Sequence, residues 1–269
     1  MPLTELIRYF NTADSADGSM LYPEGERAAA WWNGLRLRSL FQPIVDLHEE
    51  RIVGHRASLS AVRDDGAIVT SDDAYALCAE ASAVVRFDRL CRTLHALNFL
   101  AQRKYTGGYL QVSVHPRHVL AVPSQHGLVY EAILKRCGLA PQDIVFDIDV
   151  PAPGDKAYLA ALDNYRRRGY RLALHSPCVG DSTAGLLTWQ PEIVRLSGCS
   201  VDAVALAKLP GVASEVGGID SGADLAQARA AGIDLAFGEL FGSPQPDCRP
   251  THSKVGVAYN SSSPIGVSP

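Results

Sequence analysis

The sequence has no surplus of positive charge: its 25 Lys and Arg are outnumbered by 29 Asp and Glu, for a formal charge of −4. That excludes a nucleic-acid groove, whose affinity comes from a basic surface displacing phosphate counterions. No apolar run reaches the roughly 18 residues of a membrane-spanning helix. The opening Met1-Pro2-Leu3-Thr4-Glu5-Leu6-Ile7-Arg8 lacks the basic-then-apolar order of a secretory leader. A soluble, cytoplasmic protein is expected. The cysteines (Cys78, Cys91, Cys137, Cys178, Cys199 and Cys248) include no C-x-x-C pair, so neither a zinc site nor a disulfide framework is indicated. Four of them sit in apolar runs and read as small buried hydrophobes. Also missing are G-x-G-x-x-G, G-x-x-x-x-G-K-[ST] and G-x-S-x-G, the signatures of dinucleotide folds, P-loops and α/β-hydrolase nucleophiles.

What is present is a chain of 269 residues, 47% hydrophobic, long enough for one large packed domain. Residues 1–37 read as a partly helical N-terminal extension. Turn formers occupy 11–24, and a helix is predicted from Glu24 to Arg38, with Ala28, Trp31, Trp32 and Leu35 at i, i+3, i+4, i+7 spacing. That stripe is expected to pack on the protein's own body rather than on a partner. Residues 246–269, rich in Ser, Pro and Gly, read as a disordered tail.

Between these ends strands and helices alternate. Leu40–Asp46 and Arg51–Ser58 read as a strand pair joined by the polar turn His48-Glu49-Glu50. Helices follow at Asp72–Val84 and Arg86–Gln102, with Ser71 or Asp72 as N-cap. Then come strand Tyr109–Val114, helix Leu128–Arg136 before Gly138, strand Ile144–Ile148, helix Lys156–Arg168 before Gly169, and strand Arg171–Leu174. A helical Ser182–Thr188, strand Ile193–Leu196, helix Ala223–Ala231 before Gly232, and a strand near Leu235–Leu240 complete the series. Short connections, apolar strands and a count approaching eight favour a closed α/β barrel with a parallel sheet over an open one. Chemistry in such a barrel belongs at the C-terminal strand ends.

The sequence here resembles a known family over residues 38–245. Phe41-Gln42-Pro43-Ile44-Val45-Asp46-Leu47, Phe87-Asp88-Arg89-Leu90, Leu110-Gln111-Val112-Ser113-Val114-His115-Pro116-Arg117, Gly169-Tyr170-Arg171-Leu172-Ala173-Leu174 and Gly238-Glu239-Leu240-Phe241-Gly242-Ser243-Pro244 stand in the order of the EAL domain, the cyclic di-GMP phosphodiesterases. The resemblance implies an EAL-type (β/α)8 TIM-like barrel. Only 20 residues separate Ser197 from Gly217, so the unit between the sixth and seventh strands is expected to be shortened.

Active members hold divalent metals on a cluster of carboxylates and one amide, which suits hard cations and a two-metal attack on a phosphodiester. Here the departures fall on that cluster. Glu-Ala-Leu reads Arg56-Ala57-Ser58, and the family's Asn is Ser113. One carboxylate survives as Asp147, while the Glu after it is Val150. The Asp pair is His175-Ser176, the Lys is Arg195, and the next Asp is Ser197. The Glu of E-G-V-E is read as Gly217, and the last Gln is Phe237. No Mg²⁺ or Mn²⁺ is expected to bind, and the barrel is read as degenerate and catalytically inactive.

His55, His115, His175 and Asp147 could in principle form a new metal site, but His55 and Arg56 cannot both face the barrel mouth, because strand neighbours alternate. Ser176 adjoins His175 rather than facing it, which disfavours a triad. Gln42, Arg56 and Arg195 are candidate ligand-binding positions, the two arginines for phosphate, although an ion pair with Asp147 or Asp46 is the preferred role. The position of the family's phosphate-gripping Arg is Ser60. The function expected is a regulatory, protein-interaction module in bacterial signalling with an unidentified protein partner. The alternative is a non-hydrolysing cyclic di-GMP receptor. Ser176-Pro177-Cys178-Val179-Gly180 replaces the family's D-F-G-T-G dimer loop and leaves the oligomeric state open.

Overall fold

A computed structural model describes residues 2–13, 20–122, 124–150, 155–175, 189–196, 198–199 and 211–251. The first correction to the sequence reading falls at the N-terminus. Glu24–Arg38 is not a helix: it is the meeting of three strands, β1 (Met20–Glu24), β2 (Arg27–Trp32) and β3 (Leu35–Asp46). Gly25 takes φ of 62° in the first hairpin, and Asn33-Gly34 takes φ of 45° and 76° in the second. Asn-Gly with both residues left-handed is the turn whose twist suits a two-residue hairpin, and the apolar spacing that suggested a helix yields to it. Trp32 is buried in the core while Trp31, one residue away, is only half-buried beneath the Arg36 guanidinium. The stripe therefore does not exist as one face. Before these strands, Leu3–Ala13 forms a helix, α1, which the sequence reading left unassigned.

β3 turns at His48–Glu50 into β4 (Arg51–Arg63), followed by the short β5 (Ile68–Val69). Helices α2 (Ser71–Ala76) and α3 (Ala81–Thr106) come next. Thr70, rather than Ser71 or Asp72, is the N-cap of α2, its hydroxyl accepting from the Asp73 amide. The predicted pair of helices thus breaks earlier than expected, and the second is one long helix. Then follow β6 (Tyr109–Val114), α4 (Pro116–Ala121), α5 (Leu128–Cys137), β7 (Ile144–Asp149), α6 (Lys156–Arg167), β8 (Arg171–His175), β9 (Ile193–Leu196), β10 (Ala213–Val216), α7 (Gly222–Ala230) and β11 (Leu235–Ala236). The helical Ser182–Thr188 and most of the shortened segment after β9 lie outside the described residues.

Eight strands close a ring in the order β3-β11-β10-β9-β8-β7-β6-β4, with β3 pairing back onto β4. Seven run parallel. β3 is antiparallel to both its barrel neighbours, a departure from the all-parallel sheet expected. The main core packs α3, α5 and α6 against the outer faces of the strands, with Phe87, Phe99, Phe146, Tyr158 and Tyr165 fully buried. A separate apolar layer of Ile44, Tyr109, Val145, Ala173, Ile193 and Leu235 fills the lower barrel interior. These are inward positions of successive strands, one rung below the mouth.

The second correction is at the C-terminus. The chain does not leave the fold at residue 246. Phe41 and Gln245 exchange backbone hydrogen bonds of 2.7 and 3.0 Å. The Cys248 amide donates to Gln102 Oε1 at 2.7 Å, and the Arg249 amide to His55 Nε2 at 3.0 Å. The Thr251 amide donates to the Thr106 carbonyl at 2.7 Å, and Asp247 pairs with Arg27. Residues 245–251 form a strap over α3 and the β6 entry; 252–269 lie outside the described residues.

Candidate functional site

Alternation along the strands sets the mouth. Above the apolar rung, the inward positions are Arg56 on β4, Gln111 and Ser113 on β6, Asp147 and Asp149 on β7, His175 on β8, Arg195 on β9 and Glu215 on β10. Contacts between strands that are not neighbours prove the inward direction. Arg195 Nε lies 3.1 Å from Asp147 Oδ1, and Arg56 Nη2 lies 3.6 Å from Asp147 Oδ2. Arg195 Nη2 reaches Asp149 at 2.8 Å, and from the strand next to β7 His175 Nδ1 meets the same carboxylate oxygen at 2.8 Å. Gln111 Nε2 donates across the barrel to Glu215 Oε1 at 2.9 Å.

Phe237, just after β11, completes this layer. The Arg56 guanidinium sits 5.2 Å over its ring. A Cβ on Gly217 would fall 2.5 Å from the same ring, so the absence of a side chain there makes room for the phenyl group. Arg56, Gly217 and Phe237 are therefore one packed unit. Gln42, opposite Arg56 on β3, donates its amide to the Gly242 carbonyl at 3.1 Å.

The structure assembles Arg56, Ser113, Asp147, His175, Arg195 and Phe237 around the mouth; Ser176 and Ser197 lie outside the described residues. It also supplies a carboxylate that sequence reasoning missed. The Glu of the E-G-V-E stretch was sought at Gly217, but Glu215, two residues earlier and fully buried, points into the barrel. The signal was available in the alternation Ala213-Ser214-Glu215: an inward position on a strand that pairs Glu215 with Arg195.

As the strand alternation predicts, His55, His115, His175 and Asp147 do not come together. His55 faces outward, fully buried beneath the strap, where burial lowers its pKa to about 4. His115 caps α4, its Nδ1 accepting from the Arg117 amide, and stacks on Tyr75 at 3.9 Å. His175 and Asp147 face the mouth, while His115 borders the cavity beside it. Beneath it, Asp88 is enclosed by Arg92, the Tyr75 hydroxyl at 2.9 Å and the His115 amide at 3.2 Å. Against its own burial, Arg92 and these donors hold its carboxyl below the usual range.

Burial pushes the Asp147 carboxyl up, with Arg195 and Arg56 pulling the other way. Asp149, more exposed, is held below its ordinary value chiefly by the His175 hydrogen bond. Burial raises Glu215 to about 7, resisted by the Gln111 hydrogen bond. A cavity of about 430 Å³ opens from the mouth toward α2 and α3, lined by Arg56, Ser58, Asp72, Ser113, Asp147 and Arg195 among others.

The sequence profile of the EAL domain matches residues 32–244. The chain belongs to the EAL family. No curated protein matches it closely enough to count as a relative. Among solved structures, this EAL barrel is similar to the Bacillus subtilis YkuI protein with an EAL domain, in complex with substrate c-di-GMP and calcium: 16% identity, TM-score 0.66, covering 80% of this chain and 57% of that one. It is similar to the Klebsiella pneumoniae BlrP1 calcium and cyclic di-GMP complex at 17% identity and TM-score 0.64, over 87% of this chain and 61% of that one. A standalone EAL protein from Vibrio cholerae O395, bound to c-di-GMP, matches at 17% identity and TM-score 0.57, over 81% of this chain and 97% of that one. The chain thus spans about three fifths of the length of the first two. These likenesses establish the fold of the EAL barrel, and no helix among its described residues is long and apolar enough to cross a membrane.

Proposed function

We propose that this EAL barrel does not hydrolyse cyclic di-GMP and acts in bacterial signalling, in the cytoplasm, as a regulatory module that binds a protein partner. One observation carries the reading: Arg56 and Arg195 both lie against Asp147, and Arg195 also bonds Asp149. Divalent metals need those oxygens, and a guanidinium at that distance adds repulsion in a low-dielectric interior. Among the described residues no group of three or more His, Cys, Asp or Glu could hold a metal ion. The donor set at the mouth does not fit Mg²⁺ or Mn²⁺, and Glu215 alone does not restore it.

The same ion pairs bear on phosphate. Both arginines face acids that already neutralise them, which favours a structural role. The cavity beside them supports a second reading, a cyclic di-GMP receptor without turnover, since Arg56 and Arg195 line it. Incubating the chain with cyclic di-GMP and Mg²⁺ or Mn²⁺ is expected to yield no pGpG; turnover lost on Asp147→Ala would overturn the proposal. Calorimetric titration with cyclic di-GMP, in EDTA and again in Mg²⁺, separates the two readings. No heat supports the protein-binding module, and micromolar binding in both that is lost in Arg56→Ala supports the receptor.

A further inference from the structure

A second cavity, of about 400 Å³, lies at the opposite end of the barrel, under the N-terminal ends of the parallel strands. Its walls are largely apolar: Val53, the Tyr109 ring, Ala213 and Leu235. Thr251 of the strap forms one side, and its hydroxyl is committed to the Thr106 carbonyl. The charged residues on the wall differ in how far they are occupied. Arg51 pairs with Glu49, and Asp46 turns Oδ1 to the amides of His48 and Glu49, both at 2.9 Å.

Arg171 is the exception. Its guanidinium lies 4.9 Å over the Tyr109 ring, and among the described residues no carboxylate comes within 4.0 Å of it. Stacking on an aromatic face holds a guanidinium in one plane and leaves its fork of N–H donors free at the edge. A concave apolar site with one fixed polar anchor is the usual form of a small-molecule pocket.

We propose that this floor cavity binds a small monocarboxylate with an apolar body. The carboxylate takes both edge donors of Arg171 in a two-pronged hydrogen bond, and the body lies along Val53, Ala213 and Leu235. Asp46, on the same wall, opposes a second negative charge, so a monoanion is preferred to a dianion such as phosphate.

The test uses the whole chain, with backbone amide NMR during titration with benzoate and, separately, inorganic phosphate. Benzoate is expected to shift the amides of Gly108, Arg171 and Ala213 saturably at millimolar concentration, and phosphate to bind at least several-fold more weakly. Arg171→Met should weaken benzoate at least tenfold. Arg171→Lys, which keeps the charge but not the fork, should weaken it less, and it serves as the test if the methionine variant does not fold. Absence of saturable shifts, shifts confined to the mouth residues, tighter binding of phosphate, or unchanged affinity when Arg171 is replaced would each overturn the proposal.

Discussion

Three residues at the mouth make sense only together. Phe237 fills space that Gly217 leaves empty, and Arg56 lies across the Phe237 ring while facing Asp147. Gly217→Ala is therefore expected to destabilise the protein by about 1–3 kcal/mol, the usual cost of overfilling a packed site. Adding Phe237→Leu should recover much of that loss, because the new methyl group then meets a smaller, more pliable side chain. Chemical unfolding of the two single variants and the double variant measures the coupling; additive losses would show that the ring and the glycine are unrelated. Arg195→Met strips Asp147 of its nearer cation and leaves it only Arg56 at 3.6 Å, which is expected to cost about 1–3 kcal/mol, the penalty of a buried acceptor that loses a partner. Asp147→Leu in the same background should offset most of that cost, as a thermal midpoint would show. At this scale the sequence is legible where chemistry follows a motif: Arg56, Asp147 and Arg195 sit together as expected of an ion pair. It is illegible where chemistry follows geometry. Glu215 was passed over because the strand phase, rather than the motif spacing, decides which residue of β10 faces inward.

The elements divide in the same way. Helices α5, α6 and α7 end close to where Gly138, Gly169 and Gly232 mark them, because a left-handed residue after the last turn is a local signal. The β1–β2–β3 hairpins were missed although Asn33-Gly34 is also a local signal; a four-residue apolar coincidence at helical spacing masked it. The strap was unreadable for a different reason. Its composition is that of a disordered tail, and it is held by hydrogen bonds to Gln102, Thr106 and His55, residues remote in sequence. Gly107 and Gly108 belong to this contact, since a Cβ on either would fall 2.7 Å from the Thr251 side chain. Ending the chain at Pro246 should uncover His55 and raise its pKa from about 4 toward the ordinary 6.5, besides lowering the thermal midpoint by several degrees. Titration of the His55 ring by NMR in both chain lengths reads this directly; an unmoved pKa would mean that the barrel wall and α3, not the strap, exclude water from it.

Across the whole molecule, buried titratable groups set opposite slopes of stability against pH. His55, His95 and His118 are each pushed down to about 4, first by burial. Between about 6.5 and 4 they stay neutral in the folded protein while the unfolded chain takes up protons, so stability is lost as pH falls through that window and is fully present only about one pH unit above it. Glu215 works in the other direction. Raised by burial from 4.5 to about 7, it keeps its proton in the folded state while the unfolded chain has lost it. Its contribution is complete below about 4.5 and is lost as pH rises toward 7. From 6.5 down to 4.5 the unfolded chain gains up to three protons through the histidines, against one held by the folded state. From these groups stability should then fall toward acid by roughly 3 kcal/mol per pH unit, with two protons as the net difference, and His115 and His126, also lowered by burial, steepen the fall. Above 6.5 the unfolded histidines lose their last protons while Glu215 ionises in the folded barrel, and the two opposing contributions nearly cancel. Urea unfolding at pH 5, 6.5 and 8 should accordingly give a steep loss on the acid side and nearly equal stability at 6.5 and 8. Glu215→Gln keeps an acceptor for the Gln111 amide and removes the ionisable group, so it should raise stability at pH 8 by roughly 3 kcal/mol and leave the acid limb in place. A variant stabilised equally at pH 5 and pH 8 would mean that packing rather than ionisation at this position limits the wild-type barrel.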